Sequence, residues 1–191
     1  MSLRVYSEPS EEPVSLVEAK LHCRVDIEDD DLLISGLITT AREMAEMTSG
    51  RALITQTLDL YLEEWPEDEF ISLPRPPLQS VTSVVYTDED GTEQSLSTDD
   101  YSVDTHSEPG RVVLKAGKSW PSDSLQSGSP IRVRYVAGYG TVNQVPQRYK
   151  QAILLLVGHW YENRENVLTS GAMPKNIPMA AEALLWIDRV W

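Results

Sequence analysis

The stretch from Val145 to Asn166, VPQRYKQAILLLVGHWYENREN, constrains the chain more than any other. Pro146 suits a first helical turn, where its missing N–H has no partner to lose. Tyr149, Ala152, Ile153, Leu156, Val157 and Trp160 recur at helical spacing and make one apolar stripe. Leu154, Leu155 and Tyr161 fall off that stripe, so the apolar surface is wider than one core face requires. A helix apolar on most sides is covered on most sides. Burying a Leu or Ile contributes roughly 1.5–3 kcal/mol, so such a helix rivals the net stability of a small domain. Two readings follow. The segment is a central core helix and nothing more, or its second face, with Leu154, Leu155 and Tyr161, meets another subunit.

At 191 residues the chain fits one domain with room for a sizeable insertion, and it can bury a core without disulfides or metals. Its single cysteine, Cys23, excludes an intramolecular disulfide and argues against an oxidising compartment. The longest apolar run, Ala152 to Val157, is far too short to span a bilayer. The opening MSLRVYSEPSEEP has no apolar signal core, so a soluble intracellular product with no membrane partner is expected.

Charge is unevenly spread. Residues 1–110 hold 25 acidic and 6 basic side chains, and residues 111–191 hold 5 acidic and 10 basic, giving −14 in all. Such a balance argues against generic affinity for nucleic acid, which needs Lys and Arg to neutralise phosphates. The asymmetry also predicts unlike faces, which in an assembly meet head to tail.

Taken in order, residues 1–14 read as an extended polar arm. Ser15-Leu16-Val17-Glu18 has the form of a capping box and opens a helix over about 15–22, with Leu16, Ala19 and Cys23 inward. The acids Glu28 to Asp31 cap and charge the start of a second helix, about 30–49, with Gly50 ending it. Its stripe is Leu33, Ile34, Leu37, Ile38, Ala41, Met44 and Ala45. The period then changes to two: Leu58, Leu60 and Leu62 alternate with Asp59, Tyr61 and Glu63 as in a half-buried strand. Leu73 to Leu78, with three prolines, turns a corner or lies on an edge. Val81 to Tyr86 is a strand, and Thr87 to Gly91 a hairpin turn. Tyr101 to Val103, Arg111 to Leu114 and Ile131 to Val136 complete the short strands. The long helix covers about 146–163, Thr169 to Lys175 is a loop, and a last helix covers about 178–190, with Ala180, Leu184, Ile187 and Trp191 on one face. The expected fold class is α+β: a single domain, 1–191, built as a small helical bundle. An antiparallel sheet or small open barrel is inserted at about 53–137, between the second and third helices.

Nothing converges on catalysis. Cys23 follows His22, but helical neighbours point roughly 100° apart and nothing nearby orients the imidazole, so a structural thiol is expected. The acids at 28–31 lack the glycine and the later bidentate glutamate of a calcium loop. His22, His106 and His159 are scattered, and no second histidine follows His159 at zinc-helix spacing. Gly138-Tyr139-Gly140 is too short for a dinucleotide fingerprint and reads as a strand-to-helix joint. No catalytic residue, cofactor or metal ligand is expected.

Four phrases in order are more specific than composition. PVSLVEAKLHCRVDIEDDDLLISGLITTAREMAEMTSGRALITQT, then LPRPPLQSVTSVVY, VRYVAGYG and VPQRYKQAILLLVGHWYENRE together resemble the head–tail connector family of tailed double-stranded DNA phages and prophages, in its longer form. The likeness runs from Pro13 to about Arg164, and the segment from Ala172 to Trp191 matches less clearly. It implies a head-completion adaptor of the virion neck, assembled in the host cytoplasm: a homo-oligomeric ring of about a dozen copies. That ring would sit between portal and tail or stopper protein, closing the filled head and letting DNA pass without specific binding. The resemblance implies no catalytic residue and carries over no binding residue. A tail or baseplate component of the same build is the rival, and a hydrolase assembled from scattered carboxylates a more distant one. If the basic half faced inward, Lys115, Lys118, Arg132, Arg134, Arg148 and Lys150 would line the lumen instead.

Overall fold

The structure, a computed structural model, describes residues 1–163 and 178–190. The loop expected at 169–175 and the position of Trp191 lie outside the described residues. Among those described, the chain is α+β, with four α-helices and two antiparallel sheets. It divides into two compact units, each built from two stretches of chain: 1–10 with 55–139, and 11–54 with 140–191.

The first unit is all β. The strands are β1 (Ser2–Ser7), β2 (Gln56–Leu62), β3 (Phe70–Leu73), β4 (Leu78–Thr87), β5 (Glu93–Ser95), β6 (Tyr101–Asp104), β7 (Gly110–Leu114) and β8 (Ile131–Ala137). One sheet has the order β1-β2-β8-β4-β5 and the other β3-β7-β6. The expected single sheet or barrel is therefore two sheets, because β3, β6 and β7 pair only with one another. The expected N-terminal arm is corrected too. Residues 2–7 form an edge strand antiparallel to β2, so the sheet is not wholly inserted between the second and third helices. Its polar look follows from its place: it is paired on one side only and largely exposed.

Period two governs the centre of this unit. On β8, Ile131, Val133 and Tyr135 are fully buried, while Arg132 and Arg134 point to the other face. On β2, Leu58 and Leu60 are buried as expected, but so is Asp59, which the alternation placed in solvent. The Arg134 guanidinium grips both Asp59 oxygens at 2.7 Å and itself lies 3.3 Å from the centre of the Tyr6 ring. A bidentate pair under an aromatic lid explains how a carboxylate is held there. The corner at 74–77 carries a cis Pro76-Pro77 peptide, and the Tyr135 hydroxyl donates to Pro74 O at 2.7 Å. The β4–β5 hairpin turns through Gly91 at φ +82°, as its sequence required.

Three aromatics of the β unit pack on one another. Trp65 stacks on Trp120 with centroids 5.0 Å apart and meets Tyr86 edge-on at 5.6 Å. The Tyr86 hydroxyl donates to Asp123 Oδ2 at 2.7 Å. That bond, with burial behind it, raises the Tyr86 pKa to about 12. The folded pKa lies above the unfolded value near 10, so the stabilisation is complete below pH ~10 and is lost as pH rises through about 12. Ultraviolet titration should show Tyr86 ionising late, and Asp123→Asn should move one tyrosine back towards ordinary behaviour. An unchanged titration in that variant would refute the assignment.

The second unit holds the helices: α1 (Leu16–Cys23), α2 (Asp31–Ser49), α3 (Gln147–Glu162) and α4 (Met179–Trp186), with a 3-10 turn at Val142–Gln144. The capping box is made as its residues predict: Ser15 Oγ accepts from Glu18 N, and Glu18 Oε2 accepts from Ser15 N at 2.8 Å. Those bonds hold the Glu18 carboxyl below the usual range. The cap of α2 differs from expectation. Asp30 is the N-cap residue but makes no side-chain cap bond, because its carboxylate accepts the Tyr161 hydroxyl instead.

α3 packs against α1, α2 and α4. Five members of its expected stripe, Tyr149, Ala152, Ile153, Leu156 and Val157, are fully buried, and Trp160 is half-buried. On α2 the buried line is Ile34, Ile38, Ala41 and Ala45, whereas Leu33 is exposed. Of the three residues expected inward on α1, Ala19 is buried and Leu16 and Cys23 are half-buried. Gly50 closes α2 at φ +71°, and a Cβ there would sit 2.8 Å from Val190 O.

Candidate assembly interface

The residues expected to widen the surface of α3 fall in two kinds of place. Leu154 and Leu155 are half-buried, and neither belongs to the fully buried line. Tyr161 is also half-buried, and its hydroxyl donates to Asp30 Oδ2 at 2.5 Å, so its polar end is used inside the chain.

The largest exposed apolar side chains of the helical unit lie elsewhere. On α1, Val17 is 76% exposed and Leu21 80%, and in the first turn of α2 Leu32 is 90% exposed. On α4, Met179, Trp186 and Ile187, which follows its last turn, are 65%, 48% and 69% exposed. The inward side of α4 is apolar as well, with Ala181 and Leu185 fully buried. The sequence held the signal. Apolar residues left over once the inward stripe of a short helix is assigned are the argument already applied to α3, and Val17 and Leu21 stand in that position on α1.

Burial, reinforced by Glu162, pushes the Cys23 thiol up, the reverse of an activated thiolate. A groove of about 560 Å³ opens between the 11–18 segment, α2 and the 3-10 turn. Its carboxylates are already bonded: Glu11 accepts Val142 N at 2.9 Å, and Glu12 accepts Thr39 Oγ1 and Arg42 Nε at the same distance. Among the described residues, no group of three His, Cys, Asp or Glu side chains is placed to hold a metal ion. No described helix is long and apolar enough to cross a membrane.

Exposed apolar side chains on α1, α2 and α4 offer surface that contact with another chain can cover. Residues 14–181 match the model of the head completion protein family, and the chain belongs to that family. Solved structures share the fold. One, described as the virion of a native gene transfer agent (GTA) particle, is 21% identical with a TM-score of 0.81. A second, the neck of an empty GTA particle computed with C6 symmetry, is 23% identical with a TM-score of 0.81. A third, the neck of a native GTA particle computed with C12 symmetry, is 22% identical with a TM-score of 0.76. Each match covers 100% of this chain and 96% of the other. Comparison with curated proteins found no match.

Proposed function

We propose that the chain is a ring-forming adaptor of the neck in a tailed, phage-like particle, a head-completion protein set between portal and tail or stopper. The observation that carries this reading is the family match across residues 14–181. The fold shared with neck components of GTA particles supports it. The ring would hold about a dozen copies, with 1–191 acting as one connector domain. In this reading the helices form a small bundle that bears the subunit contacts, including Leu154, Leu155 and Tyr161, and most of the strands are an insertion upon it. Its work is geometric and needs no catalytic step or cofactor: one face fits the portal, the other the tail, and DNA passes through the middle.

Co-purification decides between neck and tail. The tagged chain should retain a portal ring and not a tail-tube protein. Retention of tail tube alone would favour the tail or baseplate reading.

The charge distribution adds an expectation about DNA. Of the basic side chains able to line a lumen, Arg132 pairs with Glu93 at 3.1 Å, Arg134 with Asp59 at 2.7 Å, Lys118 with Asp100 at 2.5 Å, and Arg148 with Asp188. Lys115 donates to Thr98 O at 3.0 Å. Cations already matched by carboxylates release few counterions on meeting phosphate, and −14 per copy opposes the approach. Anisotropy titration with short duplex DNA at ~0.15 M salt should show no binding at micromolar protein. Micromolar binding that weakens steeply with salt would mean the basic half faces the channel.

A further inference from the structure

α2 and α3 run antiparallel, and the contacts at their ends fix where the other two helices sit. Tyr161, in the last turn of α3, bonds Asp30 at the start of α2. Arg148, in the first turn of α3, bonds Asp188, and Ser49 O, at the end of α2, accepts from Val190 N. The segment after α4 is therefore tied to the C-terminal end of α2. α1 is tied to the opposite end: Lys20 Nζ lies 2.6 Å from Asp31 Oδ1, and a Cβ on Gly158 would sit 3.2 Å from the His22 ring. The nineteen residues of α2 span about 28 Å between those ends.

Each end carries exposed apolar side chains: Leu21 and Leu32 at the first, Met47, Trp186 and Ile187 at the second, with Met179 and Ala183 continuing the outer face of α4. The length of α2 keeps the two sets from covering each other within one copy. The charges are opposite as well. Five carboxylates, Asp26, Glu28, Asp29, Asp30 and Asp31, stand at the α1 end against Lys20 and Arg24. At the other end Arg51 and Arg148 both pair with Asp188, and the Arg189 guanidinium lies 4.9 Å from the centre of the Trp186 ring.

We infer that the α1 end of one copy docks on the outer face of α4 in the next copy. Leu21 and Leu32 meet Met179, Trp186 and Ile187, while the 26–29 acids face Arg189. This rests on the ring reading and names its contact surface. Two different patches at opposite ends of one body form a heterologous interface, which repeats head to tail and closes into a ring when the rotation per copy allows. Trp and Arg at the centre of the acceptor face are the residue types that dominate such contacts.

The test uses the full chain with Cys23→Ser, carrying Leu21→Cys or Trp186→Cys. Under mild oxidation, a mixture of the two single variants should give a disulfide-linked dimer. Neither variant alone should do so, and the chain carrying both should give a ladder of oligomers. Arg189→Glu should raise the concentration needed for assembly by about tenfold, and Asp29→Lys in that background should restore it, a tenfold change being about 1.4 kcal/mol. Dimers from Leu21→Cys alone would mean a two-fold interface and overturn the inference, as would a disulfide formed within one copy of the doubly substituted chain. Rings seen by electron microscopy without cross-links would refute the contact and leave the ring reading standing. Neither rings nor cross-links would refute both. If Trp186→Ala keeps rings but loses capture of portal protein, the α4 face belongs to a different partner and the inference fails.

Discussion

Arg42→Ala should lower the free energy of unfolding by about 3–5 kcal/mol, the usual cost of removing one partner from a buried ion pair. Arg42 is 4% exposed and reaches Glu12 at 2.9 Å and Glu46 at 3.2 Å. Glu46, 2% exposed, also accepts Leu53 N at 2.8 Å, so one guanidinium organises the entry to α1 and the exit from α2 together. Replacing the pair by neutral residues that keep the acceptor for Leu53 N, as in Arg42→Met with Glu46→Gln, should cost less than Arg42→Ala alone, because the buried Glu46 charge is then removed with its partner. Urea unfolding of the single and double variants measures this directly. A loss below about 1 kcal/mol in the single variant would put the pair among solvated surface bridges.

The second large effect concerns assembly. Leu155→Glu should leave a folded chain that no longer forms rings. Leu155 lies off the fully buried line of α3 and is half-buried in the isolated chain, so a carboxylate there can still reach water. Covered by a neighbouring copy it would be desolvated without a partner, and the contact would fail first. Circular dichroism and thermal melting should remain close to those of the parent, while sedimentation shows loss of the assembled species. A variant that unfolds outright would place Leu155 in the core of the single chain and remove it from the interface.

Sequence pattern was most legible where one face decides an element. The α3 stripe, the Ser15–Glu18 capping box, Gly50 as the stop of α2 and the alternation on β8 are each local, and each lies where spacing and residue type placed it. Strand pairing was less legible, since it joins residues far apart in the chain. Nothing in FISL announces that β3 pairs with β7 in a separate sheet, and the SLRVYS segment hides an edge strand because its exposed side chains blur the alternation. Asp59 was misplaced for a related reason: its partner Arg134 is 75 residues away, and only their meeting makes a buried carboxylate tolerable. At the candidate interface, surplus apolar surface was readable as a quantity but not as a location. The wide apolar surface of α3 pointed to that helix, while the most exposed apolar side chains of the helical unit are on the short helices α1 and α4 and at both ends of α2. The family resemblance rested on whole phrases from Pro13 to about Arg164, and the family match over residues 14–181 covers that stretch and continues beyond it.

The central claim, a ring at the neck, meets its most direct test in electron microscopy of DNA-filled heads that lack this protein, imaged before and after adding the purified chain. The account predicts a ring of about a dozen copies seated beneath the portal, and heads that afterwards retain their DNA and accept tails. Density at the tail tip or baseplate, or heads that stay bare while the added chain remains monomeric, would contradict it.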